Sequence, residues 1–205
     1  GVVRSQQPFI CIGSIYGVSI SELYLHCGAV LMTIIPYTEL DGIRTFSDTV
    51  IKDLYRRMVE EGTANRVFFD GSVNNEEAFM NMFKHNPENH LFVIKTDGEP
   101  AAIAWLNGVR NYTATAHFCL FKRVWGKKGI EVGKRTIQFF LNMKDWDGRY
   151  YHDVITGLTP SCNRLAVRWI QKIGMKILGE IPNVIWDAEN QESVPGVISY
   201  ITREA

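Results

Sequence analysis

The chain has 205 residues, of which 46% are apolar, 12% aromatic and 21% charged, so it holds enough apolar mass for one large core. Its 22 basic side chains balance its 22 acidic ones, and this balance disfavours a nucleic-acid partner because no net positive field attracts a polyanion. The four cysteines are far apart, without a CxxC pair. The sequence therefore predicts no metal site and no disulfide framework, and it favours a reducing compartment.

No apolar run approaches the roughly 20 residues that a membrane-spanning helix needs, so we expect a cytoplasmic protein without a membrane partner. The segment Pro8–Ile20 is only faintly similar to a signal peptide, because glycine and serine interrupt it and it has no small-x-small cleavage pattern. Met32 begins a stretch that is typical of the start of a domain. We therefore divide the chain into an N-terminal extension, residues 1–31, whose status the sequence leaves open, and a single domain, residues 32–205.

The first half of this domain begins with a predicted strand at Met32–Tyr37. A helix follows that is capped by Ser47 and ended by Gly62, and its apolar residues recur at i, i+3 and i+4: Val50, Ile51, Leu54, Tyr55, Met58 and Val59. We expect Asn74 to cap a second helix, with acidic residues near its positive end. The apolar residues of that second helix are Ala78, Phe79, Met82 and Phe83.

The second half alternates strands and helices. A hairpin is predicted around the turn that begins with Asp97 and Gly98, and two helices are predicted later, one after the loop Arg123–Gly129 and one opened by Thr159 and Pro160 and ended by Gly174. The predicted strands are Leu91–Thr96, Ala101–Asn107, Tyr112–Phe121, Asp153–Leu158, Met175–Ile181 and Val197–Thr202, the last two separated by a loop with two prolines. This order predicts an α/β (α+β) fold with a mostly antiparallel sheet and one βαβ unit.

A glycine-rich, basic loop connects the strand at Tyr112–Phe121 to the helix that follows. Gly126 and Gly129 allow close approach to the main chain, and the unpaired N–H groups at a helix start favour a phosphate, to which Arg123, Lys127 and Lys128 add positive charge. The loop is neither GxxxxGK[ST] nor GxGxxG, so P-loop and Rossmann sites are excluded. Taken alone, it is equally typical of a plain tight turn.

Residues 153–181 resemble the closing half of an acetyltransferase of the GNAT superfamily, where a strand leads to Asn-x-x-Ala on a helix that ends in Gly-Phe. Here Asn163, Ala166, Gly174 and Met175 stand at those positions. The upstream motif of that family, Arg/Gln-x-x-Gly-x-Gly/Ala, is matched at Arg123-Val-Trp-Gly126, although Lys128 stands at its last position. The order of elements is also similar to that fold from about Met32 to Thr202.

This resemblance implies a GNAT-like sheet of about six to seven strands with a V-shaped gap between strands 112–121 and 153–158, in which acetyl-CoA binds. It implies that the pyrophosphate lies on the amides of Trp125–Gly129, that main-chain groups of Leu120, Phe121 and Lys122 pair with the pantetheine arm, and that Asn163 supports the cofactor from the other side. The implied cofactor-binding residues are Leu120, Phe121, Lys122, Arg123, Val124, Trp125, Gly126, Lys127, Lys128, Gly129 and Asn163.

The implied reaction is N-acetylation by direct attack of a primary amine on the thioester, with a main-chain N–H stabilising the oxyanion. His117, with an ordinary pKa near 6.5, is a candidate base, and a structural role is the alternative. The family's general-acid tyrosine is replaced by Ile170, so we consider Tyr150, Tyr151 and Cys162 as substitutes and take Tyr151 as the candidate acid. Helix residues Phe79 and Phe83 are either core or the wall of an apolar acceptor site.

Three functions remain open from the sequence. The first is an acetyl-CoA-dependent N-acetyltransferase for a small-molecule or peptide amine. The second is a catalytically weakened relative that binds CoA or a protein partner in a structural or assembly role, as the missing tyrosine suggests. The third is an interaction domain without a cofactor. The sequence leaves the acceptor and the oligomeric state open, with a dimer among the alternatives.

Overall fold

The computed structural model describes residues 24–25 and 31–203. The segment Pro8–Ile20, which is faintly similar to a signal peptide, lies outside the described residues. Ten strands and five α-helices are found in the described part of the chain. In order they are Tyr24–Leu25 (β1), Met32–Pro36 (β2), Glu39–Leu40 (β3), Ile43–Arg44 (β4), Asp48–Glu60 (α1), Ala64–Val67 (α2), Glu76–Phe83 (α3), His90–Thr96 (β5), Glu99–Arg110 (β6), Thr113–Leu120 (β7), Lys127–Asn142 (α4), Val154–Pro160 (β8), Arg164–Lys172 (α5), Lys176–Asp187 (β9) and Glu192–Thr202 (β10).

One mixed sheet organises the molecule, in the order β1-β2-β5-β6-β7-β8-β10-β9, and β3 and β4 form a separate small hairpin. Neighbouring strands of the large sheet are antiparallel, except for β7 and β8, which are parallel. A parallel pair needs a crossover connection, and α4 supplies it. The predicted mostly antiparallel sheet with one βαβ unit is confirmed, with seven strands beside the two-residue β1.

The helix boundaries follow side-chain caps. The Ser47 hydroxyl accepts a hydrogen bond from the Val50 N–H at 3.3 Å, as predicted for α1. The second cap is Asn75 rather than Asn74, because the Asn75 amide oxygen accepts from the Ala78 N–H at 2.9 Å. Of the predicted apolar stripe of α1, Val50 and Val59 are exposed, so the buried stripe is narrower than the sequence indicated.

The last third of the chain differs from the prediction in two places. Thr159 and Pro160 do not open a helix; they end β8, where they pair with Val197 and Gly196 of β10. The expected proline-containing loop is instead part of the long β9–β10 hairpin. Pro182 is tolerated there because β9 is an edge strand, and Pro195 lies where the pairing register shifts.

Two apolar clusters cover the two faces of the sheet. One lies under α4 and α5 and includes Phe140 and Ile137. The other lies under α1, α2 and α3 and includes Phe79, Phe83 and Trp105. Strand β7 separates them, since alternate residues point to opposite faces: Ala116, Phe118 and Leu120 pack on the α4 side, whereas Cys119 packs on the α1 side and His117 stacks on Trp105 there.

Candidate active site

The site begins where the parallel strands separate. Strands β7 and β8 pair only over Thr113–Thr115 and Val154–Thr156. Beyond these residues β7 stays bonded to β6 up to Leu120, and β8 stays bonded to β10 up to Pro160. A V-shaped gap therefore opens between the two strands, at the position that the resemblance implied.

The gap holds a cavity of about 360 Å³. Its lining comes from β7, β8, α2 and α5, together with the loop that precedes α4, and it is mostly apolar. The lining residues used below are Thr63, Arg66, Val67, Phe118, Leu120, Trp125, Gly126, Asn163, Trp169 and Ile170, with His117 and Cys119 on the α1 side. A largely apolar cavity of this volume suits a flexible organic arm.

Main-chain polar groups of β7 face this gap. The Phe121 N–H donates to the Ala101 carbonyl of β6 at 2.9 Å. Because antiparallel pairs alternate, His117 and Cys119 also direct their main-chain groups toward β6. Phe118 and Leu120 therefore direct theirs toward β8, from which β7 has already separated. The main chain at Phe118 is thus placed to bond a molecule within the gap.

The glycine-rich loop forms one end of the cavity and continues into the first turn of α4. Gly126 has φ +86° and ψ −138°, a conformation that essentially only glycine adopts. At Gly129 an added Cβ would lie 2.8 Å from the Val124 carbonyl oxygen, so the loop folds closely onto the helix start. The unpaired N–H groups of the first turn, from Lys127 onward, form the positive end of this 16-residue helix.

Two of the basic side chains in the loop are held by the turn between β5 and β6. The Arg123 guanidinium donates to the Thr96 hydroxyl at 2.7 Å and to the Thr96 carbonyl at 3.0 Å. The Lys128 ammonium pairs with Asp97 at 2.9 Å. Both side chains therefore fix the loop to the sheet, whereas Lys127 is exposed at the helix start.

The expectation for the main chain of residues 120–122 needs correction. The Leu120 carbonyl already accepts a hydrogen bond from the Trp125 indole at 3.0 Å, and the Lys122 N–H donates to the Glu61 carboxylate. Phe121 and Val124 are fully buried, so their side chains are core residues and do not reach the cavity. Of the expected main-chain groups, the Leu120 N–H still faces the gap, and the main chain of Phe118 faces it as well.

Asn163 lines the cavity as expected, and it also begins α5, because its amide oxygen accepts from the Ala166 N–H at 3.2 Å. The next turn of α5 carries Trp169, whose indole N–H donates to the Gly129 carbonyl at 3.1 Å. This bond joins the two helices beside the cavity. It was not predicted from the sequence, and the only signal for such a close approach is Gly133 in the middle of an otherwise good helix.

His117 lies in the cavity wall, but its environment differs from the expectation. Its ring stacks on Trp105 with centroids 4.8 Å apart and an interplanar angle of 5°. Burial lowers the pKa of His117 to about 4, and the nearby negative charge of Asp70 only partly opposes this. Nε2 lies 3.1 Å from the Asn107 amide oxygen; since that oxygen only accepts, Nε2 carries the proton and Nδ1 remains an acceptor.

The candidate general acids are not brought into the cavity. Ile170, which the resemblance aligned with a general-acid tyrosine, lines the cavity. Tyr151 precedes β8 at the paired end of the strands and packs in the core under α4, and Tyr150 lies against the Arg203 guanidinium. Cys162 is exposed and does not line the cavity. The positions of the two tyrosines follow from the direction of β8, whose N-terminal end lies at the paired end of the strands, away from the gap.

The prediction that Phe79 and Phe83 form the wall of an apolar acceptor site is wrong. Phe79 and Phe83 have relative exposures of 0% and 2%. Their rings pack against each other with centroids 5.2 Å apart, and Phe83 also contacts Trp105. Both are therefore core residues beneath the sheet, and the part of the cavity on this side is lined by Thr63, Arg66 and Val67 of the segment around α2.

Among residues 31–203, no cluster of three or more His, Cys, Asp or Glu side chains is arranged to hold a metal ion. The helices in the described part of the chain are also too short or too polar to cross a membrane. Cys119 is a buried free thiol, and burial raises its pKa to about 11. The Cys119 thiol is therefore protonated at neutral pH and is a poor nucleophile.

The sequence matches no protein-family model and no curated protein sequence, whereas solved structures share its fold. An acetyltransferase from Salmonella typhimurium that modifies the N-terminal serine of ribosomal protein L7/L12 is 9% identical, with a TM-score of 0.66 over 87% of this chain and 97% of that one. RimL, an L7/L12 α-N-protein acetyltransferase in complex with coenzyme A, is 10% identical, with a TM-score of 0.64 over 86% of this chain and 95% of that one. A GNAT-family acetyltransferase from Bacillus anthracis is 15% identical, with a TM-score of 0.61 over 87% and 98%. At these identities the likeness establishes a shared fold.

Proposed function

We propose that this chain, whose fold is that of the GNAT acetyltransferases, is an acetyl-CoA-dependent N-acetyltransferase that acts on a primary amine. The observation that carries the proposal is the separation of β7 from β8 directly ahead of a glycine-opened helix. This arrangement combines a cavity for a thioester arm with a positive helix end for its phosphates. The coenzyme A in the RimL structure supports this choice of cofactor.

In this proposal the pyrophosphate lies on the main-chain N–H groups of Lys127, Lys128 and Gly129. The pantetheine arm enters the gap and bonds the main chain at Phe118, as an additional strand would between β7 and β8. Trp125 and Asn163 border the arm from the loop and from α5. The exposed Lys127 adds positive charge for the phosphates.

The amine nitrogen attacks the thioester carbonyl directly in a ternary complex. A C–N bond forms, the C–S bond breaks, and the amine loses one proton while CoA leaves as a thiolate. The carbonyl oxygen becomes negative during attack, and a fixed main-chain N–H at Phe118 stabilises that charge. Holding the two reactants in one cavity supplies a large further part of the acceleration.

His117 acts in this scheme as a hydrogen-bond acceptor that orients the neutral amine through Nδ1, because a pKa of about 4 makes it a weak base at neutral pH. No tyrosine is found among the described residues that line the cavity. The leaving thiolate is then protonated by water, since an ordinary thiol has a pKa near 8.5. A missing general acid costs about 10²–10⁴-fold in rate, so we expect a slow enzyme.

The first test is thermal unfolding of the full chain with and without acetyl-CoA. A ligand at 100 times its Kd stabilises by about 2.7 kcal/mol, which raises the Tm of a chain of this size by about 5–10 °C. Acetyl-pantetheine, which lacks the phosphates, should give a much smaller shift. No shift at millimolar acetyl-CoA would contradict the proposed cofactor.

Gly126 provides a test of the phosphate site itself. Gly126→Asp places a carboxylate where the pyrophosphate is proposed to bind, and we expect it to abolish the acetyl-CoA shift. Gly126→Ala is the matched control, because any side chain at φ +86° strains the main chain equally but alanine adds no charge. Equal acetyl-CoA shifts in the two variants would contradict this placement.

Turnover separates the enzyme from the weakened relative that only binds. Release of CoA thiol from acetyl-CoA, measured over a panel of primary amines, is expected to exceed the rate of hydrolysis without amine for at least one member. Tight binding of acetyl-CoA without such an increase would favour the binding protein with a structural or assembly role.

A further inference from the structure

One charged side chain, Arg66, lies among the described residues that line the cavity. The other lining residues are apolar, glycine or uncharged polar, and His117 is neutral at pH 7 because its pKa is lowered to about 4. A ligand made only of uncharged groups would leave the Arg66 guanidinium without an opposite charge. This isolated cation therefore indicates that part of the bound molecule is negatively charged.

The surroundings of Arg66 leave its charge available. The side chain is exposed at the rim, and within residues 31–203 no carboxylate lies in ion-pair range of it. Two other cations near the cavity are paired, Lys128 with Asp97 and Arg57 with Glu61, whereas Lys127 is exposed at the start of α4. The negative charge of Asp70 slightly raises the pKa of His117. Asp70 accepts hydrogen bonds from Ser72 and does not line the cavity.

Arg66 also lies on a definite side of the gap. It belongs to α2, which covers the same sheet face as His117 and Cys119. The glycine-rich loop begins α4, and both α4 and α5 cover the opposite face. The cofactor phosphates proposed above lie at the start of α4, so Arg66 faces the side from which the acceptor amine enters.

Resting on the proposed function, we infer that Arg66 selects acceptor amines that also carry a carboxylate. A guanidinium presents a planar pair of N–H donors that matches a carboxylate in two parallel hydrogen bonds. Pairing the acceptor's carboxylate with Arg66 orients its amine toward the thioester, between His117 and the main chain of Phe118. A neutral amide has one acceptor oxygen and no charge, so it cannot form the two parallel bonds and leaves the charge of the cation unbalanced.

The test uses a mixture of primary amines in matched pairs, each pair differing only in a carboxylate or its amide. It contains short peptides with free N-termini that carry Asp or Asn, or Glu or Gln, and small amines such as β-alanine and β-alaninamide. Acetylation of every member is followed by mass spectrometry with the full chain and acetyl-CoA. We expect the carboxylate member of the accepted pairs to react about threefold to fivefold faster, as an exposed ion pair allows.

Three variants make the test specific. Arg66→Gln should bring the ratio of carboxylate to amide close to one, and Arg66→Glu should reverse it and favour added lysine-containing peptides. Arg168→Glu changes the net charge equally on the exposed face of α5, outside the cavity lining, and should leave the ratio unchanged. A ratio near one in the unaltered protein, or one that Arg66→Glu does not change, would overturn the inference.

The failure of the proposed function can be distinguished from the failure of the inference about Arg66. If no amine in the mixture is acetylated, the proposed function is contradicted, and the same mixture is passed over the immobilised full chain. Retention of carboxylate members over their amides, lost in Arg66→Glu, would still support Arg66 as an anion site. Equal retention of both members would overturn it.

Discussion

The two ends of the β7–β8 pair have the same strands but opposite roles. At the paired end, Ala114 and Ile155 are buried, and the Thr115 and Thr156 hydroxyls lie 3.1 Å apart. At the open end, the strands follow different neighbours, and the main chain at Phe118 faces a cavity instead of a partner strand. One end holds the sheet together, and the other leaves its hydrogen-bonding groups for a ligand.

The difference shows where binding capacity resides in this molecule. The open end obtains polar groups from the main chain and from a helix start, and its side chains mainly supply shape. Gly157 of β8 illustrates the limit on side-chain size there, because an added Cβ would lie 3.1 Å from the Ser199 hydroxyl. Among the described residues that line the cavity, charge is confined to Arg66, so the proposed recognition of an acceptor can be tested separately from the proposed binding of a cofactor.

The largest effect that distinguishes the two ends is acid destabilisation. Burial lowers the pKa of His117 at the open end and of His90 to about 4 each, and it also lowers that of His152, just before the paired end. These histidines are neutral when folded but gain protons when unfolded below pH 6.5, so stability is present above pH 6.5 and falls as the pH decreases toward 4. Urea unfolding should show a loss of about 2 kcal/mol per histidine with a pKa near 4 between pH 6.5 and pH 5.

Substituting the histidines one at a time shows how much of the loss of stability at low pH comes from each end. His117→Gln and His152→Gln should each reduce the difference in unfolding free energy between pH 7 and pH 5 by one histidine's share, whatever they do to stability at pH 7. The Nε2 atom of His152 is buried without a partner, which increases the cost of a charge there. Equal stability of the unaltered protein at pH 7 and pH 5 would contradict both assignments.

The second effect concerns the wall of the open end. At Gly133 an added Cβ would lie 2.4 Å from the Trp169 ring and 2.7 Å from Ile173, so Gly133→Ala should force α4 and α5 apart. Overpacking of this kind costs about 1–3 kcal/mol, partly offset by about 1 kcal/mol of helix propensity. We expect a net loss of about 1–2 kcal/mol in urea unfolding and a weaker acetyl-CoA shift.

Gly179→Ala is the matched control for this substitution. Gly179 lies in edge strand β9, where an added Cβ meets nothing within 4 Å. Its stability and its acetyl-CoA shift should stay close to those of the unaltered protein. If Gly133→Ala behaved in the same way, the close packing of α4 on α5 would not support the cavity wall.

The smallest effect belongs to the paired end. The Thr156 hydroxyl donates to the Ala114 carbonyl at 3.2 Å and contacts the Thr115 hydroxyl. Thr156→Val keeps the shape but removes these bonds, and we expect a loss of about 1 kcal/mol in urea unfolding. Thr159→Val, the control at the open end, should change stability by less than about 0.5 kcal/mol. Equal losses would show that the Thr156 bonds contribute nothing particular.

The sequence predicted those elements whose signals are local. Ser47 caps α1 because a hydroxyl beside the chain accepts from its own helix, and the turn at Asp97 and Gly98 combines two residues that tolerate positive φ. The motif at Asn163 carried its own cap to Ala166. Local bonds of this kind depend on residues three positions apart or fewer, so the order of residues alone determines them.

Tertiary structure decided what depends on distant partners. Thr159 and Pro160 have the composition of a helix start, yet pairing with β10 makes them strand. The pKa of His117 falls because Trp105 and the sheet bury it, and the basic side chains of Arg123 and Lys128 are taken by the β5–β6 turn.

The sequence by itself determined the mixed sheet and its βαβ unit, because hydrophobic periodicity, caps and turns depend on the order of residues; the position of the gap was implied by the resemblance of two motifs to a known family. Only the tertiary structure decided which groups face that gap. It excluded Phe79, Phe83 and Tyr151, added the main chain of Phe118 and placed Arg66 in the wall. The physical reason is that exposure and charge compensation are properties of packed neighbours, which segments remote in sequence supply.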